Sequence, residues 1–165
     1  QQNERSLPSC KPRISGFAMK HPNQLLQTLR PALGVEPIHL PLFSDRVAAG
    51  FPSPADDYIE GRLSLDEHLI QHKDSTFFVR AKGNSMTGAG IFDGDLLVVD
   101  KSLDAHDGDI VVAIIEGGFT VKYLSQHGAT VLLKPANPKF NDIEFKDGEE
   151  LQIWGVVTSS VKKHR

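Results

Sequence analysis

The strongest constraint on this chain is a train of short β-prone segments after residue 75. They are Thr76–Ala81 (TFFVRA), Leu96–Asp100 (LLVVD), Asp109–Ile115 (DIVVAII), Phe119–Leu124 (FTVKYL), Thr130–Lys134 (TVLLK) and Leu151–Val157 (LQIWGVV). β-Branched and aromatic side chains dominate them, and these suit a pleated, half-buried surface. Turn signals separate the segments: Asp93-Gly94, Asp107-Gly108, Gly117-Gly118, His127-Gly128 and Asp147-Gly148. No long helical period intervenes. The pattern predicts a mainly-β body of antiparallel, bent sheets or a partial barrel.

The first half has a different texture. Residues 1–24 are polar and broken by Pro8, Pro12, Gly16 and Pro22, which predicts a loose, flexible N-terminal arm. Leu25, Leu26 and Leu29 fall at helical spacing within residues 23–30, before Pro31 and Gly34 stop the helix. Pro37, Pro41, Pro52 and Pro54 favour extended backbone. Among them lies an apolar tract, Leu40, Leu42, Phe43 and Val47, that ends in Ala48, Ala49 and Gly50. Ser64-Leu65-Asp66-Glu67 fits a capping box before a short helix carrying Leu65, Leu69 and Ile70.

Charge and cysteine usage narrow the function classes. The 165 residues carry 18 Lys+Arg and 21 Asp+Glu, a net charge of −3. Residues 1–50 hold six bases (Arg5, Lys11, Arg13, Lys20, Arg30, Arg46) against three acids (Glu4, Glu36, Asp45). The rest is acidic and repels nucleic-acid phosphates, so any DNA contact is expected in the basic arm or upstream of it. The opposing reading is ordinary scatter of charge. A single cysteine, Cys10, excludes an internal disulfide framework and a multi-cysteine metal site. No apolar run approaches the length of a membrane span or a signal peptide, which points to a cytoplasmic address.

Few residues suggest chemistry on their own. Gly83-Asn84-Ser85-Met86 follows TFFVRA directly, so Ser85 stands at a strand end where its hydroxyl and nearby N–H groups can face a cleft. That suits a nucleophile with an oxyanion hole, and equally a plain turn serine. In Phe119–Leu124, alternation sets Thr120, Lys122 and Leu124 on one face and Phe119, Val121 and Tyr123 on the other. A lysine in an apolar strand is either an edge-strand guard or a desolvated base. A neutral lysine can take the proton of a serine hydroxyl. His68 and His72 are four apart and suit one helix face, but spacing supplies no third metal ligand. Asp104, Asp107 and Asp109 surround Gly108 as turn formers. No phosphate-binding glycine loop occurs.

Three segments in order resemble the UmuD and LexA family of self-cleaving damage-response proteins. Ala49-Gly50 within LPLFSDRVAAGFPSPADDYIE (Leu40–Glu60) is similar to the family's cleavage site. FFVRAKGNSMTGAGIFDGDLLVVD (Phe77–Asp100) is similar to its nucleophile segment. DGDIVVAIIEGGFTVKYL (Asp107–Leu124) is similar to its base segment, and WGVVTSSVKK continues the likeness. PLFSD and FPSPADDY are closer in wording to UmuD than to LexA. The arm of about fifty residues before the bond departs from UmuD and looks more like extended UmuD-like regulators of Acinetobacter type. Residues 1–39 contain no helix-turn-helix pattern, so a DNA-reading part is expected upstream or in an atypical form.

The resemblance implies a fold, a site and partners. The fold is the bent antiparallel β body of the LexA and UmuD C-terminal domain. Residues 1–50 form an arm that ends at the cleavage site, and residues 51–165 the autopeptidase and dimerisation domain. Ser85 is the nucleophile, Lys122 the base, Ala49-Gly50 the scissile pair, and N–H groups of Gly83 or Ser85 the oxyanion donors. No cofactor or metal is implied. The implied partners are a second copy, a RecA filament on single-stranded DNA, and operator DNA, with or without a co-repressor. The alternative to a repressor is an accessory subunit of an error-prone polymerase, bound to a Y-family polymerase subunit.

Overall fold

The computed structural model describes residues 14–16, 36–43, 59–128, 130–146 and 149–164. The strands are β1 (Ile14–Gly16), β2 (Leu40–Phe43), β3 (Ile59–Leu63), β4 (Thr76–Arg80), β5 (Leu96–Asp100), β6 (Ile110–Ile115), β7 (Gly118–His127), β8 (Thr130–Lys134), β9 (Ile143–Phe145) and β10 (Leu151–Val161). Helix α1 is Leu65–Leu69, and a 3-10 turn spans Thr87–Ala89. The helix expected over 23–30, Cys10, the Ala49–Gly50 bond and the Asp147-Gly148 turn lie outside the described residues.

The main sheet runs β4-β5-β10-β6-β7-β8-β9, with antiparallel pairing throughout this path. β1 joins β10 in parallel, Ile14 opposite Leu151. β2 and β3 form a separate antiparallel pair. This is the mainly-β, antiparallel body that the alternation predicts.

Strand β10 is the organiser of the sheet. It pairs with β6 along Gln152–Val156 and with β5 along Val156–Val161. Its register shifts between Ile153 and Gly155 and again between Val157 and Ser159. Such bulges bend a strand and raise its twist, and so let one strand serve two partners. Gly155 sits where they meet: a Cβ there would lie 2.7 Å from Val99 Cγ1 and 3.1 Å from the Asp100 carbonyl oxygen. Only glycine allows β5 so close.

Alternation gives the sheet two buried faces. Val112, Leu97, Val99, Val79, Met86 and Trp154 pack on one. Val111, Ala113, Leu124, Leu133, Leu151 and Val156 pack on the other. Both β6 faces are buried, which is why DIVVAII reads as an unbroken apolar run.

The turns show where local signals held and where they slipped. The β6–β7 hairpin turns on Glu116 and Gly117, both with positive φ, as tight two-residue hairpins require. The turn therefore sits one residue earlier than Gly117-Gly118. Asp107 and Asp109 do shape their turn: their carboxylates accept the N–H groups of Gln126 and His106. The capping box is not made. Ser64 precedes α1 in extended backbone, but its side chain forms no cap bond. His68 and His72 do not share a helix face either, because α1 ends at Leu69.

Candidate active site

The geometry begins at the flank of β7. β8 ends at Lys134, opposite Tyr123, and Pro135 follows. Proline has no N–H to continue a ladder. Residues 118–122 of β7 therefore pair with β6 on one side and are left open by β8 on the other. The loop that carries Ser85 fills this gap. Ala136, just past Pro135, donates its N–H to the Ser85 carbonyl at 2.9 Å and accepts from Gly88 N–H at 2.7 Å. Asn137 Nδ2 donates to the Asn84 carbonyl at 2.8 Å. Three bonds thus stitch the serine loop to the chain leaving β8.

This arrangement brings Ser85 and Lys122 together across 37 residues. Lys122 Nζ donates to Ser85 Oγ at 2.9 Å. It also donates to Thr120 Oγ1 and to the Val121 carbonyl, each at 3.0 Å. Lys122 is 7% exposed, so it is not a solvent-facing edge guard. Among the described residues no carboxylate pairs with it. Burial without a counter-charge pushes its ammonium pKa below the ordinary 10.5.

The valences of the nitrogen decide what this can do. An ammonium would spend all three N–H bonds on these oxygens. A neutral amine has two N–H groups, enough for Thr120 and Val121, and one lone pair left for the Ser85 hydroxyl proton. Thr120 is a site residue that the sequence reading passed over. Its signal was present, since it shares the Lys122 face two positions away.

The glycine before the serine has another role. Gly83 N–H donates to Asp93 Oδ1 at 2.7 Å, so it is not free to hold an oxyanion here. Among the described residues no acceptor takes the N–H of Asn84 or Ser85. Gly83 instead supplies a positive φ of 89° at the start of the loop.

A cleft of about 670 Å³ lies elsewhere, between α1, the β5–β6 connection and β10. His68, Asp100, His106 and Thr158 help to line it, and neither Ser85 nor Lys122 does. At its floor Asp100, 3% exposed, accepts from His72 Nδ1 at 2.6 Å and from Ser75, Ser102 N–H and Ser102 Oγ. Burial alone would raise the Asp100 carboxyl pKa, but the hydrogen bonds from Ser102, His72 and Ser75 hold it below its usual value. Among the described residues no cluster of His, Cys, Asp and Glu suits a metal ion. Nor is any helix there long and apolar enough to cross a membrane.

The antiparallel body thus docks a serine loop against a buried lysine, and the comparisons place the chain in a peptidase family. The chain belongs to the Peptidase S24-like family, with a match over residues 41–158. Within that family its relatives are of the UmuD and LexA type that the motifs resemble. It is 49% identical over 125 residues to Protein SamA of Salmonella typhimurium, covering 76% of this chain and 86% of that protein. It is 44% identical over 133 residues to Protein MucA of Escherichia coli, covering 79% and 90%. It is 38% identical over 125 residues to the LexA repressor of Bordetella avium, covering 76% and 58%.

Proposed function

We propose that this protein cuts its own chain between Ala49 and Gly50, with Ser85 as nucleophile and Lys122 as general base. The observation that carries the reading is the 2.9 Å contact between a buried, unpaired lysine and a serine hydroxyl. Ser85 Oγ attacks the Ala49 carbonyl while Lys122 Nζ takes the hydroxyl proton. The tetrahedral oxyanion is held by free backbone N–H groups at Asn84 and Ser85. Collapse breaks the Ala49–Gly50 bond, and the Lys122 ammonium returns its proton to the Gly50 amine. Water, deprotonated by Lys122, then hydrolyses the ester between Ala49 and Ser85. Small residues at 48–50 let the chain pass close to the serine without clash.

In this reading residues 1–50 are the arm that cleavage releases, and residues 51–165 the peptidase and dimerisation unit. The protein acts in the response to DNA damage as a homodimer in the bacterial cytoplasm. A RecA filament on single-stranded DNA triggers the cut by favouring the docked arm. Cleavage inactivates a transcriptional repressor that reads operator DNA through its N-terminal part, with or without a co-repressor. The basic arm supports that role. The UmuD-like wording of PLFSD and FPSPADDY around the cleavage site supports the second reading, an accessory subunit of an error-prone polymerase.

The test is a self-cleavage time course from pH 7 to 10 on wild type, Ser85→Ala and Lys122→Ala, with fragment masses. One cut at Ala49–Gly50, faster in alkali and absent from both variants, is expected. Cleavage surviving in Lys122→Ala would give the base role to another residue. Operator binding by the uncleaved chain selects the repressor reading. Co-purification of the cleaved form with a Y-family polymerase subunit selects the other.

A further inference from the structure

The serine loop has a second fastening, at its far end. Residues 81–95 form a loop closed at its neck by three bonds. Ala81 N–H donates to the Asp95 carbonyl at 2.8 Å, Gly94 N–H to the Ala81 carbonyl at 2.9 Å, and Gly83 N–H to Asp93 Oδ1 at 2.7 Å. Within the loop, Asp95 Oδ2 accepts the Phe92 N–H at 2.8 Å. Asp95 is 7% exposed.

The C-terminal end of the sheet reaches this neck. Val161, the last residue of β10, pairs with Leu96, the first of β5. The next residue, Lys162, therefore falls beside Asp95. Its Nζ lies 3.6 Å from Asp95 Oδ2 and 3.7 Å from the centroid of the Phe92 ring, and it donates to the Gly90 carbonyl at 3.4 Å. One ammonium thus meets a buried carboxylate, a ring face and a main-chain carbonyl, all on the loop that carries Ser85. Phe92 is a large apolar side chain with much of its surface exposed, and the lysine lies over its ring. The Lys162 side chain is itself 35% exposed, so each contact alone is modest, and the latch comes from three of them converging on one ammonium.

We propose that Lys162 is a positioning residue for the cleavage reaction. It latches the C-terminal end of β10 to the neck of the nucleophile loop and so keeps Ser85 in register with Lys122. The proposal rests on the Ser85 and Lys122 reading above. It adds that a residue just past β10, 77 positions from Ser85 in the sequence, tunes the reactivity of the serine.

The experiment reads the serine without the arm docking step. Full-length wild type, Lys162→Met and Lys162→Arg are labelled at Ser85 with a fluorophosphonate from pH 7 to 10, at a temperature well below unfolding. Unfolding midpoints are followed by Trp154 fluorescence. Lys162→Met is expected to label and self-cleave about fivefold to tenfold more slowly, with the pH midpoint unmoved because that belongs to Lys122. Lys162→Arg, which keeps a cation over Phe92 and beside Asp95, is expected to stay within about twofold of wild type. Lys162→Met labelling at the wild-type rate, even with a lowered unfolding midpoint, would reduce Lys162 to a structural contact and overturn the proposal. A slow Lys162→Arg would overturn it as well. Wild type that neither labels nor cleaves would instead refute the dyad on which the proposal rests.

Discussion

Gly88 offers a sharp test of how the serine loop is held. A Cβ placed there would press on the Ala136 carbonyl oxygen, the acceptor of the Gly88 N–H itself. The contact is main chain against side-chain root, so no flexible group can swing away. Relief requires the 135–137 segment and the serine loop to part by about 1 Å, and a misplacement of that size costs roughly 100-fold in rate. Three hydrogen bonds join the two segments: Gly88 to Ala136, Ala136 to Ser85, and Asn137 to Asn84. At about 1 kcal/mol each, their weakening predicts a loss of about 2–3 kcal/mol of stability. The Gly88→Ala variant should therefore fold, melt earlier, and self-cleave about 100-fold more slowly at pH 9. Cleavage is followed by fragment masses, and the fold by Trp154, the single tryptophan, packed 5.5 Å from Phe77. Wild-type cleavage in Gly88→Ala would show that the stitch to Ala136 does not position Ser85.

Further outcomes follow from the buried polar groups. Lys122→Met should raise the unfolding midpoint at pH 7. The folded-state pKa of Lys122 is depressed, so the folded form binds fewer protons, and its stability rises with pH up to the unfolded value near 10.5. The advantage of the variant should fade across that window in denaturant titrations, and an advantage independent of pH would contradict the burial cost. Thr120→Val removes one of the two acceptors that leave the amine lone pair to Ser85, and should slow cleavage about tenfold while preserving the pH profile's shape. Asp100→Asn weakens the cluster of His72, Ser75 and Ser102 and should cost about 2–3 kcal/mol at pH 7 by chemical denaturation. The Asp100 pKa is depressed in the folded state, so its contribution is present above the unfolded value of 3.8 and lost as pH falls through the folded one. Wild type and Asp100→Asn should therefore converge in strong acid.

The sequence by itself settled the parts of this protein that depend on neighbours along the chain. Alternation is a local property, so TFFVRA, LLVVD and TVLLK announced their strands, and FTVKYL set Thr120 beside Lys122 on one face. Glycines at 94 and 108 take positive φ where the turn signals stood. The ordered motifs carried the family, because a serine segment and a lysine segment at fixed separation are linear patterns. Other features needed partners distant in sequence. TSSV after residue 157 has a polar, tail-like composition, yet it extends β10 because β5 lies open beside it. Ser64 fits a capping box in sequence, but its side chain makes no cap bond in the fold. Gly83 looked like an oxyanion donor until Asp93, ten residues on, took its N–H. Ala136 and Lys162 carry no local mark at all. Their roles come from where Pro135 ends a ladder and where β10 runs out, and only the folded sheet brings those ends to the loop of Ser85. The lowered pKa of Lys122 is likewise tertiary: it comes from the packing of the sheet around the ammonium, with no carboxylate beside it among the described residues.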